Sequence, residues 1–276
     1  MTVTLTKHHG LGNDFLVYDL AQGEPSVGWP ELARIWCDRR TGIGADGLLT
    51  LGRDPADDTH LTMALHNADG GRAEMSGNGI RCLVQAAYLA QGRSGPVTYR
   101  VTTDAGDKQV DVVRAVDPAT LLVSVDMGTV AETAEPAGWM HLGCHPDRPV
   151  WHLDMGNPHS VIAVDSVAAV PLEVLGPKVP QINLEVVEPG PEPHAVTMRV
   201  HERGAGITQA CGTGATATAW AALRWGLATP TADHEILVHQ PGGDATVRLT
   251  GDGYRHATLS GDTVFVGTVS LVVPTG

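Results

Sequence analysis

The chain is poor in aromatic residues and cysteine, and it has neither a long apolar run nor a surplus of positive charge. Phe, Trp and Tyr make up 4% of the 276 residues, so aliphatic side chains and alanine must supply most of any core. The four cysteines, at positions 37, 82, 144 and 211, are too sparse and irregular for a disulfide framework or a paired-cysteine metal site. The ordinary reading of Cys37, Cys82 and Cys144 is a small buried hydrophobe. A formal net charge of −13 argues against a nucleic-acid or anionic-membrane partner, because both need clustered Lys and Arg. No apolar stretch approaches the roughly 18–20 residues that span a bilayer. The segment Met1–Lys7 also lacks the apolar core of a secretion signal. A cytoplasmic protein is the expectation.

Glycine and proline, by contrast, are abundant, at 33 and 18 residues. That mix favours many turns and short strands over long helices. The most informative feature is an internal repeat. Residues 62–79 read TMALHNADGGRAEMSGNG, and residues 197–214 read TMRVHERGAGITQACGTG, 135 positions later. Upstream, Leu11-Gly12-Asn13-Asp14-Phe15 is echoed by Met155-Gly156-Asn157-Pro158-His159 at an offset of 144. Each copy runs from an alternating strand (Leu61, Met63, Leu65; Val196, Met198, Val200) into a polar loop and a Gly-X-Gly step. An apolar helix is predicted next, over 80–91 in one copy and 215–225 in the other, with Gly92 and Gly226 placed as C-terminal caps. Further strands are predicted over 97–103 and 109–113, and over 235–240 and 245–249. The pattern implies two lobes, each a sheet wrapped on a central helix, facing each other across a cleft.

Ser76 and Cys211 occupy the same place in the two copies, at the start of a buried helix. Flanking glycines leave backbone N–H groups open to a ligand, and a helix start attracts anions by about 0.3–1 kcal/mol, up to ~2 when partly buried. Two such starts could hold a carboxylate and stabilise the charge that builds when the neighbouring α-proton leaves. The same field lowers a thiol's pKa, which would favour a Cys211 thiolate near neutral pH. An acid–base group on each face of a carbanion is the minimum needed to invert a stereocentre. Packing alone could explain a small polar residue at one helix start, but not the recurrence of such a residue with the same flanks. Other signals are weaker. Residues 42–47, GIGADG, fit a dinucleotide-binding pattern, but they follow a predicted helix (31–39) and precede a strand (48–51), so a turn is expected. His141, Cys144, His145 and His152 lack helical spacing and a partner carboxylate, so no metal is expected. The pair His8-His9 reads as a strand end.

These motifs resemble the diaminopimelate epimerase family. The markers are HGLGNDF (9–15), RRTGIGADG (39–47), HNADGGRAEMSGNGIRC (66–82), MGNPH (155–159), ERGAGITQACGTGA (202–215) and QPGG (240–243), which run through essentially the whole chain. The resemblance implies an α+β fold of two pseudo-symmetric lobes, each a mostly antiparallel sheet around a central helix, with the active-site cleft between them. The expected boundaries are 1–125 and 126–263, with a C-terminal strand, 264–276, returning to the first lobe. It also implies a homodimer, an amino-acid substrate, no cofactor, and two-base epimerisation of LL- to meso-diaminopimelate in lysine and peptidoglycan precursor synthesis. Carried over by position, the reacting carboxylate meets Gly77, Asn78, Gly212 and Thr213, while Asn13, Asn67, Asn157, Asn183, Glu202 and Arg203 bind the rest of the substrate. An arginine can grip a carboxylate in bidentate fashion and a glutamate can accept from an ammonium. Taken singly, those asparagines read as loop caps and Glu202–Arg203 as a surface ion pair. Cys211 and Ser76 are the expected catalytic pair, with Glu202 and His159 in support.

Three residues depart from the family pattern. Gly47 stands where some members have Gln, Ile207 where Glu is frequent, and Ser76 where the first catalytic cysteine is found. Cys82 is six positions further on and well down the helix, so it is no substitute. A hydroxyl is a weak base without an activating partner but can return a proton to a carbanion. The expected pair is therefore lopsided, with reduced or direction-biased turnover. The alternatives are a proline-racemase-like epimerase or dehydratase of the same fold, and a non-catalytic amino-acid-binding homologue.

Overall fold

The computed structural model describes residues 2–273; Met1 and residues 274–276, part of the expected lobe boundaries, lie outside the described residues. The first half of the chain contains β1 (Thr2–Gly10), β2 (Asn13–Asp19), α1 (Trp29–Cys37), β3 (Gly47–Asp54), β4 (Asp57–Asn67), the short β5 (Arg72–Ala73), α2 (Gly77–Ala90), β6 (Val97–Thr103), β7 (Gly106–Ala115) and β8 (Thr120–Thr129). The second half contains the short β9 (Ala131–Glu132), β10 (Val150–Asp154), β11 (Pro158–Ala163), a single-turn α3 (Leu172–Leu175), β12 (Asn183–Pro189), β13 (Ala195–Glu202), the short β14 (Gly206–Ile207), α4 (Gly212–Trp225), β15 (Glu235–Gln240), β16 (Gly243–Thr250) and β17 (His256–Val272). Two compact units result. One comprises the residues up to Val125 and those from Gly261 onward, and the other is Asp126–Ser260.

The two units repeat one strand order. In the first, β1/β2 are antiparallel, β2/β3 parallel, β3/β4 antiparallel, β4/β6 parallel, and β6/β7 and β7/β8 antiparallel. In the second, β10/β11, β11/β12, β12/β13, β13/β15, β15/β16 and β16/β17 follow the same succession. The sequence repeat is thus a repeat of topology. Alternation in β4 works as the period of a strand demands: Leu61, Met63 and Leu65 are buried, while Thr62 between them is exposed.

Each central helix is buried nearly all round, as its composition requires. Twelve of the 14 residues of α2 are buried, and ten of the 14 of α4. Neighbouring strands surround them: α2 packs on β1, β2, β3, β4 and β7, and α4 on strands from β10 to β16. Both helices begin three residues before the predicted starts, so the Gly-X-Gly steps form their first turns. The reason is the residue before each step. Ser76 and Cys211 act as N-caps and satisfy a backbone donor of that turn, which offsets glycine's poor helix propensity of about 1 kcal/mol. Gly226 caps α4 in the left-handed conformation at φ 69°. The scarce aromatics are concentrated. Tyr18 packs edge-on to Trp29 and stacks with Trp36 in the first unit, and Trp151 meets the fully buried Trp220 at 5.2 Å in the second.

His8 is buried on β1 and hydrogen-bonds Gln85 through Nδ1 at 2.8 Å. Burial lowers its pKa to about 4, the Gln85 bond acting against this and His9 adding to it. The unfolded chain, with histidine near 6.5, takes up a proton first as pH falls. The stability His8 contributes should therefore be complete above about pH 6.5 and decline as pH drops towards 4. Urea unfolding midpoints recorded across that interval should fall less steeply in His8→Phe than in the wild type.

Candidate active site

The second unit builds its polar site around the start of α4. Cys211 caps the helix with φ −128° and ψ 117°, and its Sγ accepts from Gly214 N–H at 3.3 Å. Its own N–H donates to Gln240 Oε1 at 2.8 Å, which fastens the cap to the end of β15. Thr213 Oγ1 lies 3.5 Å from the sulfur and accepts from Asn157 Nδ2 at 3.3 Å. Asn157 leads into β11, where His159 is buried with Nε2 at 2.9 Å from Asn157 Oδ1 and Nδ1 at 2.6 Å from Glu185 Oε1. Glu202, at the end of β13, accepts from the Thr208 hydroxyl and from the Cys211 thiol.

The first unit repeats the frame with different side chains. Ser76 caps α2 with φ −139° and ψ 124°, and its Oγ accepts from Gly79 N–H at 3.0 Å. Asn78 Nδ2 donates to Asn13 Oδ1 at 3.2 Å, the counterpart of the bond between Thr213 and Asn157. Asn13 in turn donates to Asp46 Oδ2 at 2.6 Å, and Arg39 ties Asp46 to Asp14. Residues 42–46 form the turn expected over 42–47, closed by backbone bonds onto the end of α1, with Gly44 at φ 81°, and Gly47 opens β3. Asn67 ends β4 opposite Gly47.

Strand register makes the comparison residue by residue. Phe15 and His159 are equivalent, as are Leu49 and Glu185, and Asn67 and Glu202. The unit with the thiol therefore holds a histidine and two carboxylates where the unit with the hydroxyl holds phenylalanine, leucine and an amide.

Electrostatics change one sequence expectation. Burial first, then the charges of Glu202 and Glu185, push the Cys211 thiol well above its ordinary range, against hydrogen bonds from Thr213 and Gly214. A helix start supplies up to ~2 kcal/mol, whereas full burial shifts a group by as much as 3–5 pH units. Burial wins, and the resting sulfur keeps its proton. Burial also raises Glu202, partly offset by bonds from Thr208 and Cys211.

The remaining predicted residues divide. Asn183 is buried, donating to Pro158 O at 3.0 Å and accepting from Arg203 N–H at 2.9 Å, which is the capping behaviour read for it singly. Arg203 is exposed and forms no ion pair with Glu202, whose carboxylate is engaged with Thr208 and Cys211. Gly77 and Gly212 are the first residues of their helices. Cys37 and Cys82 are buried thiols, each pushed up to about 12, chiefly by burial. Cys144 departs from expectation. It is only partly buried, on a segment over an apolar cavity lined by Leu142, Ile162, Val170 and Leu175. Among the described residues no group of three or more His, Cys, Asp or Glu side chains could hold a metal. Two site residues were missed in the sequence, Glu185 and Gln240. For the first, a signal was available: a lone charge inside the apolar run NLEVV.

Comparison with known proteins bears on the family and the fold. The family model for diaminopimelate epimerase matches residues 5–132 and 152–266. The diaminopimelate epimerase of Thermosynechococcus vestitus is 39% identical over 298 residues, covering 98% of this chain and all of that protein. That of Synechococcus elongatus is also 39% identical, covering 98% and 99%. Among solved structures, a PhzF-family phenazine biosynthesis protein of Bacillus anthracis aligns at a TM-score of 0.73 with 14% identity, covering 99% of this chain and 100% of that one. A hydroxyproline epimerase of Agrobacterium vitis aligns at 0.64 with 16% identity, covering 98% and 91%. At such identities these two bear on the fold alone, which is the α+β, two-lobed epimerase type. With the family model and the curated relatives in agreement over nearly its whole length, the chain belongs to the diaminopimelate epimerase family of isomerases.

Proposed function

We infer that this enzyme interconverts LL- and meso-diaminopimelate by removing and returning one α-proton without pyridoxal phosphate. In this reading Cys211 serves one face of the α-carbon and Ser76 the other. The observation that carries it is the equivalence of the two helix starts. Each presents a capping heteroatom held by the N–H three residues on, Gly79 at 3.0 Å and Gly214 at 3.3 Å, and the second residue of each helix is hydrogen-bonded to an asparagine, Asn13 at the start of β2 or Asn157 just before β11. The backbone groups of Gly77, Asn78, Gly212 and Thr213 take the carboxylate and stabilise the enediolate charge as it develops. Asn13, Asn67, Asn157, Asn183 and Arg203 bind the distal amino-acid head group.

Chemical asymmetry then assigns the roles. When sulfur acts as base, its proton passes to Glu202, which already accepts from it. Ser76 has Asn67 in the equivalent place, and an amide cannot take up a proton there. Cys211 with Glu202 is the stronger base, and Ser76 serves as donor to the carbanion. The working form is taken to be a homodimer, as the family resemblance implies, in the cytoplasm expected from the sequence.

The test is solvent-deuterium incorporation at the α-carbon, followed by NMR with LL- and meso-diaminopimelate run separately. Both isomers should incorporate deuterium, at unequal initial rates. A binding homologue gives no exchange with either, and that outcome removes the epimerase reading.

A further inference from the structure

Glu185 is fully buried, and its Oε1 accepts from His159 Nδ1 at 2.6 Å. Its Oε2 has no hydrogen-bond partner among the described residues. The carboxylate lies against the first turn of α4: a Cβ added to Gly214 would come within 2.8 Å of Oε1. From it runs an unbroken series of contacts through His159, Asn157 and Thr213 to Cys211 Sγ, none longer than 3.5 Å. The groups facing it are His159 from β11 and the Cys211–Gly214 turn of α4, with Glu202 also close to the thiol.

A core can be filled there without charge, as the other unit demonstrates. At the equivalent register positions Phe15 and Leu49 are buried, on strands paired in the same way. A buried ion pair is often no more stabilising than well-packed apolar residues in its place, and a carboxylate oxygen without a partner makes the balance worse. Stability therefore does not explain the pair.

We propose that Glu185 is a positioning residue of the epimerase reaction, holding the proton of His159 on Nδ1 and fixing the ring so that Nε2 braces the Asn157 amide and, through Thr213, the cap at Cys211. With the proton on Nδ1, Nε2 is an acceptor, so in this arrangement the Asn157 amide turns over to give it Nδ2–H, and the amide oxygen accepts from the Thr213 hydroxyl. A carboxylate oxygen can only accept from Nδ1, so the tautomer and the ring angle are set together. The inference rests on the epimerase reading for its kinetic consequence but not for its structural one.

The experiment compares wild type, Glu185→Gln, Glu185→Leu and the double variant His159→Phe/Glu185→Leu, which copies the first unit's pair. Glutamine keeps an acceptor for Nδ1–H and leucine does not. The expected result in deuterium exchange is a kcat about 100-fold lower in Glu185→Leu with KM within about threefold, and recovery to within about tenfold of wild type in Glu185→Gln. The double variant should unfold at or above the wild-type temperature yet stay slow. Nitrogen-15 spectra of the histidine ring should show the His159 proton on Nδ1 in the wild type and displaced in Glu185→Leu. A wild-type kcat in Glu185→Leu overturns the proposal, as does a glutamine variant no faster than the leucine one or an unmoved ring proton. If the wild type itself exchanges nothing, the epimerase reading fails, and the ring spectra still decide this one.

Discussion

Cys211→Ala should slow α-proton exchange by about 10⁴-fold, the upper end of what one effective general base contributes. The upper end applies because no other group can take over. On the proposed path Glu202 acts through the Cys211 thiol, from which it accepts a hydrogen bond, and Cys82 is a buried helix-interior thiol pushed up to about 12. Alanine also removes the cap of α4, at a cost of about 1 kcal/mol, and so could weaken the site by loosening the helix. Cys211→Ser separates the two effects, since its hydroxyl keeps the bond to Gly214 N–H. Both variants should lose exchange, measured by NMR in deuterated buffer, while Cys211→Ser should keep the wild-type unfolding temperature within a few degrees. Exchange by Cys211→Ala within tenfold of the wild type would falsify the assignment of the base.

Ser76→Cys should move in the other direction and raise turnover by about 100-fold. The site accepts the change, because Ser76 and Cys211 cap equivalent helices with backbone angles within about ten degrees of each other. Sulfur at 76 would be a far better proton acceptor than oxygen. The gain stays at the low end of the general-base range because Asn67, not a glutamate, holds the position equivalent to Glu202. It should be larger in the slower direction, so initial rates from LL- and meso-diaminopimelate should draw together. Unchanged rates in both directions would mean that the hydroxyl is not on the path of the proton.

Much of the fold could be read from residue order. The paired motifs around Ser76 and Cys211 anticipated the two related units, and the alternation of Leu61, Met63 and Leu65 anticipated a half-buried strand. Helix starts were misplaced because Gly-X-Gly looks like a loop, until a capping side chain satisfies the first turn. The thiol proposed as the base was legible for the same reason as the fold, by repetition. Its protonation was not, because burial and two carboxylates from different strands outweigh a helix end, and only the tertiary structure brings them together. Glu185 was passed over because a strand of branched aliphatics reads as core, although the single charge inside it was the available signal. Arg203 and Glu202 looked like an adjacent ion pair, but β13 ends at Glu202, whose carboxylate takes the Thr208 hydroxyl, and Arg203 lies beyond it in an exposed turn.

The order in which the chain passes through its two units also bears on how it is made. The second unit is one uninterrupted stretch, Asp126–Ser260, while the first begins at the N-terminus and is completed only from Gly261 onward. Strand β1 takes its outer partner from β17, in a register running from Thr2↔Val272 to His9↔Val264. At ribosomal speeds of about 5–20 residues per second, β1 waits on the order of ten seconds or more for that partner. The unit begun first is thus finished last, with one edge of β1 open in the meantime to pairing with other nascent chains. Joining the segment from Gly261 onward ahead of Thr2 in a permuted gene would make each unit continuous and shorten that exposure.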